Sequence, residues 1–173
     1  RKSFLNALYG IHEHKGRIEL NKTLAELKID DEPPLTETEK TARVIDLLKS
    51  RSGVFHTAAY QSARATSLRP PRGSAKPDEI YYYNNWDFNV LLTIFEQETG
   101  TKIFQEFNKR IAVPLQMEHF KVSDGYYHLD EDESIHPAYP FRMSSLDMAR
   151  FGLLYLREGK WKDQQVVPRE WIR

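Results

Sequence analysis

A sequence of 173 residues suffices for one ordinary domain with a sizeable core, or for part of a larger one. Its 25 Lys and Arg balance 25 Asp and Glu, so no overall field gathers nucleic acid or anionic lipid, and 12% aromatic residues exclude a disordered chain. The absence of cysteine rules out disulfides, thiolate zinc sites, iron–sulfur clusters and a cysteine nucleophile, and no apolar run reaches the roughly 18 residues of a membrane span.

Arg1-Lys2-Ser3-Phe4 leads straight into an apolar-periodic segment, without an initiator Met or a signal-peptide pattern, and Trp171-Ile172-Arg173 stops at what reads as a starting helix. The sequence therefore reads as an internal fragment. Phe4, Leu5, Ala7, Leu8 and Ile11 keep the spacing of one buried helix face, with Lys2 at the head of that helix. Lys15 to Leu20 reads as a turn and a short extended piece, and Asp30-Asp31-Glu32-Pro33-Pro34 as a turn-rich surface connection without chemistry. Thr36 with Glu39 three residues on is a capping-box spacing that predicts a second helix running through Ala42, Val44, Ile45, Leu47 and Leu48 to Ser52-Gly53.

From Ala63 to Pro77, Arg64, Arg69 and Arg72 are interleaved with Ser, Pro and Gly, which predicts an exposed loop whose arginines could meet a substrate carboxylate. The aromatic run Ile80-Tyr81-Tyr82-Tyr83 then feeds through Asn84-Asn85 into a helix carrying Phe88, Leu91, Leu92 and Phe95 on one face, stopped by Gly100. Ile103, Phe104, Phe107 and Ile111 mark a further helix up to Pro114. Asp130 to Glu133 is a solvated acidic run without the spacing of a calcium loop. Ser144 with Asp147 caps an amphipathic helix through Leu146, Ala149, Leu153 and Leu156 that closes at Gly159.

The common catalytic signatures are missing. There is no Gly-x-Ser-x-Gly elbow, phosphate loop or Gly-x-Gly-x-x-Gly, and His12 and His14, two residues apart on a helix, face different ways and do not share a metal ion. What remains is Lys2 at one helix head and Tyr83-Asn84-Asn85 at another. Lys2-Ser3-Phe4-Leu5, Leu47 to Gly53, Tyr83-Asn84-Asn85-Trp86-Asp87-Phe88, Pro114-Leu115-Gln116-Met117 and Ser144 to Gly159 resemble, in that order, the serine β-lactamase-related family. That family includes class C β-lactamases, DD-peptidases, esterases and 6-aminohexanoate-dimer hydrolases, and the resemblance spans nearly the whole chain.

The resemblance implies an α+β, transpeptidase-like fold, of which residues 1–173 form a partial domain covering mainly the helical region. It also implies three site boxes: Ser-x-x-Lys, Tyr-x-Asn and a later Lys-Thr-Gly-like strand. Only the second is complete here. By this register Lys2 is the lysine of the first box and its serine lies two residues upstream of Arg1; Ser3 directly follows Lys2 and points to another face. Tyr82 with Asn84 and Tyr83 with Asn85 both fit the second box. The family follows its asparagine with an aromatic three residues on, which is Phe88 for Asn85 but Asp87 for Asn84, so Tyr83 and Asn85 are preferred.

Free tyrosine and lysine, with pKa values of about 10 and about 10.4, are poor bases near neutrality, and such a site must bring at least one down by about two or three pH units. The implied function is a serine hydrolase acting on amide or ester bonds of a small-molecule or peptide-like substrate through an acyl-enzyme, with Lys2 and Tyr83 catalytic and Asn85 binding substrate. It needs no metal or organic cofactor and no nucleic-acid partner; the location is left open, with a periplasmic or secreted one favoured by the resemblance alone. A non-catalytic relative that binds a cell-wall or peptide ligand as a sensor is the alternative.

Overall fold

The computed structural model describes all residues 1–173. In chain order the helices are α1 (Lys2–Glu13), α2 (Val44–Leu48), α3 (Ala63–Ser67), α4 (Asn85–Thr99), α5 (Ile103–Phe107), α6 (Ser145–Leu156) and α7 (Arg169–Ile172). The strands are β1 (His128–Asp130), β2 (Ser134–Ala138), β3 (Lys160–Trp161) and β4 (Gln164–Gln165), which pair as two antiparallel ribbons, β1 with β2 and β3 with β4. Helix dominates, as the resemblance implies. No helix is long and apolar enough to cross a membrane. The chain divides into two compact units: residues 1–18, 95–126 and 140–173 form one, and residues 19–94 and 127–139 the other.

In the first unit, α1 buries Phe4, Leu5, Leu8 and Ile11, the face its periodicity predicts. Phe4 sits at the centre of an aromatic cluster, with ring centroids 4.9 Å from Phe107, 5.1 Å from Phe141 and 4.8 Å from Phe151. The indole of Trp171 lies on Gly10 of α1, where a Cβ would stand 2.3 Å from the ring, and donates to Asn6 Oδ1 at 3.1 Å. Gly10 therefore lets α7 approach α1 at backbone distance. α5 continues into a π-helical stretch, Asn108–Ala112, before Pro114. Beneath α6, buried Asp147 accepts backbone N–H bonds from Glu118, His119 and Phe120 at 2.9–3.0 Å, while Ser144 Oγ caps the helix by accepting from Asp147 N.

The second unit is organised around Asp31. Far from lying in a surface connection without a task, this carboxylate is buried and accepts from Trp86 Nε1 (2.7 Å), Ser134 Oγ (2.6 Å) and the backbone N–H of Glu32 (2.8 Å) and Ile135 (3.0 Å). Four donors compensate its desolvation and bind three stretches of chain to one point. The predicted helix from Thr36 to Leu48 is in fact broken. Thr36 and Glu39 do form a reciprocal box, at 2.8 and 3.2 Å, but it opens only a 3-10 turn, Glu39–Thr41. Ala42 and Arg43 are extended because Leu24 N bonds to Ala42 O, Val44 N bonds to Lys22 O, and Arg43 pairs with Thr23, so tertiary partners override local preference. Asp46, bonded to Arg43 N at 2.9 Å, restarts the helix as α2.

The arginine-rich middle contains the short α3, capped by Ser62. Within it Arg72 is not available for substrate: its guanidinium donates to Glu39 at 2.9 and 2.8 Å and to Pro34 O at 2.6 Å. Replacing Arg72 with Ala strands the buried Glu39 carboxylate and is expected to cost about 2 kcal/mol in urea unfolding, the partial exposure of Arg72 keeping the loss below that of a fully buried pair.

Acid stability follows from the same buried groups. Burial pushes His136, and likewise His12, below the ordinary value of 6.5 even though Asp31 and Glu106, respectively, pull the other way. Burial alone would raise the carboxyls of Asp31, Asp147, Glu39 and Glu106. Hydrogen bonds outweigh it and hold all four below their ordinary values of 3.8 for Asp and 4.5 for Glu. A histidine with a lowered folded-state pKa takes up a proton more readily when unfolded, so stability declines as pH falls below about 6.5 toward the folded value. A depressed carboxyl contributes stability fully present above its unfolded pKa and lost as pH falls through the folded one, below about 4. Thermal melts should therefore fall in two stages on acidification; a midpoint that rises below about pH 6 would contradict this.

Candidate active site at the head of α4

The head of α4 is assembled from well-separated stretches of the second unit. Gly53 adopts φ +70 with the Lys76 carbonyl oxygen 2.8 Å from where a Cβ would stand, so only glycine fits this passage. Beside it Ser52 Oγ donates to Asp87 Oδ1 in the first turn of α4 at 2.6 Å, and Tyr82 N bonds to Ser50 O at 2.9 Å. The Leu47 to Gly53 motif thus fixes where α4 begins.

The two competing Tyr-x-Asn registers have different surroundings. Asn84 is the helix cap: its Oδ1 accepts from Asp87 N at 2.8 Å and its Nδ2 donates to Tyr82 O at 2.8 Å. Tyr82 is half-buried, donates to Ala65 O at 2.8 Å and accepts from Gln61 Nε2 at 3.3 Å, and its burial pushes the phenol up. Tyr83, by contrast, is 56% exposed, its ring 5.9 Å from that of Phe88. Asn85, the first residue of α4, receives the Gln61 side chain on its backbone N–H (3.1 Å) and donates its Nδ2 to Tyr60 O (2.5 Å). Neither contact uses Asn85 Oδ1, which keeps its acceptor capacity.

Sequence reasoning missed Tyr60 and Gln61. Tyr60 turns the chain at φ 64, and Gln61 ties Asn85 to Tyr82 through both ends of one amide. Neither belongs to a motif, although a glutamine in an otherwise aromatic and small-residue stretch is a weak signal of a polar task. Trp86, adjacent to the box, is wholly buried with its N–H on Asp31, so it packs rather than lines a pocket.

Tyr83 and Asn85 therefore stand together in the second unit, whereas Lys2 belongs to the first. Lys2 is the opening residue of α1, with the N–H groups of Phe4 and Leu5 both bonded to Arg1 O at 3.1 Å. It is half-buried, whereas Ser3 beside it is exposed, in keeping with a different face. No group of three or more His, Asp or Glu residues is placed to hold a metal ion. His12 and His14 take separate partners, Glu106 at 2.9 Å and Glu170 at 3.1 Å.

Comparison with curated proteins gives no match. Among solved structures, a Bacillus anthracis protein assigned as a 6-aminohexanoate-dimer hydrolase is similar at TM-score 0.70 and 22% identity, over 98% of this chain and 49% of its own. The octameric penicillin-binding protein homologue of Pyrococcus abyssi is similar at 0.67 and 22%, over 99% of this chain and 46% of its own. The D-amino acid amidase of Ochrobactrum anthropi is similar at 0.65 and 17%, over 99% and 56%. The chain thus spans about half the length of these structures, and at such identities the likeness establishes the α+β, transpeptidase-like fold. The family described as Beta-lactamase matches residues 2–171, which takes in both the opening of α1 and the head of α4, and with that fold the chain belongs to the β-lactamase family.

Proposed function

We propose that the chain is part of a serine hydrolase that cleaves amide or ester bonds through an acyl-enzyme, with Lys2 and Tyr83 moving the proton and Asn85 orienting the substrate. The nucleophile in this reading is a serine three residues before Lys2 in the complete protein. Residues three apart share a helix face, so the lysine amine reaches the hydroxyl one turn earlier, and the N–H groups at the helix head favour the oxyanion. The serine Oγ attacks the carbonyl carbon and its proton passes to the amine or phenolate. The leaving nitrogen or oxygen takes that proton as its bond to carbon breaks, and water then hydrolyses the ester. An amidase and a protein assigned as a 6-aminohexanoate-dimer hydrolase, both of the same fold, favour amide or ester substrates.

The observation that carries this reading is the separation of roles at the head of α4. Asn84 and Tyr82 are spent on capping and on pinning the adjoining loop, while Tyr83 is exposed and Asn85 is held by Gln61 and Tyr60 with its acceptor unspent. Mass spectrometry of the complete protein after treatment with a fluorophosphonate tests it. One adduct on the serine preceding Lys2 is expected, and Lys2→Met should slow its formation by about 10²-fold or more. A folded protein that takes no adduct overturns the hydrolase and favours the ligand-binding alternative.

A further inference from the structure

The first unit holds a cavity of about 440 Å³ between the end of α1, the π-helical stretch and the β4–α7 connection. Ile11, Pro114, Val166 and Pro168 supply an apolar wall, and the charged groups that line it are markedly one-sided. Lys15, Lys109, Arg110 and Arg169 face it against the single carboxylate of Glu170, in a chain whose formal charges sum to zero.

Two of these cations are already matched. Arg110 donates to Glu106 at 2.8 Å, and Arg169 lies 3.0 Å from Glu158. Glu170 is taken by His14 at 3.1 Å. Lys15 and Lys109 form no ion pair. The end of α1 does not require them either, because its last carbonyls are closed by backbone, Gly16 N to Glu13 O at 2.8 Å and Arg17 N to His12 O at 2.9 Å. Desolvation, and then the nearby Arg110 and Arg17 guanidinium groups, hold the Lys15 amine below its ordinary value, a field that a bound anion would relieve.

A volume in the range of small-molecule sites, an apolar wall and two uncompensated ammonium groups define one kind of occupant. We propose that this cavity binds a small amphipathic anion, its carboxylate or phosphate head between Lys15 and Lys109 and its aliphatic body against Ile11, Pro114, Val166 and Pro168. The proposal is independent of the catalytic reading.

Calorimetric titration of the complete protein with octanoate, octyl phosphate, octanol and inorganic phosphate tests it. Saturable one-to-one binding of octanoate or octyl phosphate is expected, and whichever binds tighter identifies the head group. Octanol and inorganic phosphate should each bind at least about tenfold more weakly, since each offers only half of the contacts. Lys15→Gln with Lys109→Gln should weaken the anionic probe by about tenfold or more at low salt, and each single change by part of that. Both lysines are exposed, so folding is preserved. Hydrogen exchange with the probe bound should slow in peptides spanning 107–116 and 163–172. Octanol binding as tightly as octanoate, an unaffected double variant, protection confined to other peptides, or no binding of either anionic probe would each overturn the proposal.

Discussion

Tyr83→Phe in the complete protein is expected to lower kcat by about 10²–10⁴-fold while leaving the thermal midpoint and KM nearly unchanged. The substitution removes one hydroxyl and keeps the ring that meets Phe88, and the side chain is largely exposed, so the core loses nothing. The neighbouring Tyr82→Phe provides the contrast. It deletes the bonds to Ala65 and Gln61, so stability falls by about 1 kcal/mol and catalysis changes only as far as Asn85 shifts. A loss smaller than about tenfold in Tyr83→Phe, or a larger loss in Tyr82→Phe, would exchange the two tyrosines and with them the register of the box.

Asp31→Ala is expected to be the most destabilising single change in the second unit, at about 3–5 kcal/mol in denaturant unfolding. It leaves the Trp86 indole N–H, the Ser134 hydroxyl and two backbone N–H groups without an acceptor at a buried point. Asp31→Asn keeps one acceptor oxygen and should recover part of the loss. Trp86 directly follows Asn85, so the variant should also loosen the candidate site, seen as a rise in KM before global unfolding. A change below about 1 kcal/mol would mean that water replaces the carboxylate and that Asp31 is not the organising centre of this unit.

The helices were legible where pattern and caps agree. α1 declares its buried face through Phe4, Leu5, Leu8 and Ile11, α6 its start through Ser144 and Asp147, and α4 its end through Gly100, which takes φ +67. The choice of Tyr83 with Asn85 rests on the family pattern, because composition alone does not tell Tyr82 from Tyr83; the different surroundings of the two depend on Ala65 and Gln61, distant in sequence. The break at Ala42–Arg43 escaped because nothing local forbids helix there, and the partners that extend it, Lys22 and Leu24, belong to another segment. Asp31 escaped for the opposite reason. Two prolines and three acidic residues in a row describe a solvated turn, and only tertiary structure turns one of those carboxylates inward.

The indole seated on Gly10 bears on the order of folding. Its N–H reaches a residue 165 positions away, and the unit it closes is drawn from three separate stretches of chain. Loop-closure entropy makes such a contact one of the last to form, so during synthesis the Gly10 side of α1 lacks its indole cover until the ribosome has released the tryptophan. Nascent chains arrested short of Trp171 should exchange amide hydrogens in α1 faster than the finished chain, whereas the unbroken segment 19–94, which supplies most of the second unit, can begin to consolidate earlier.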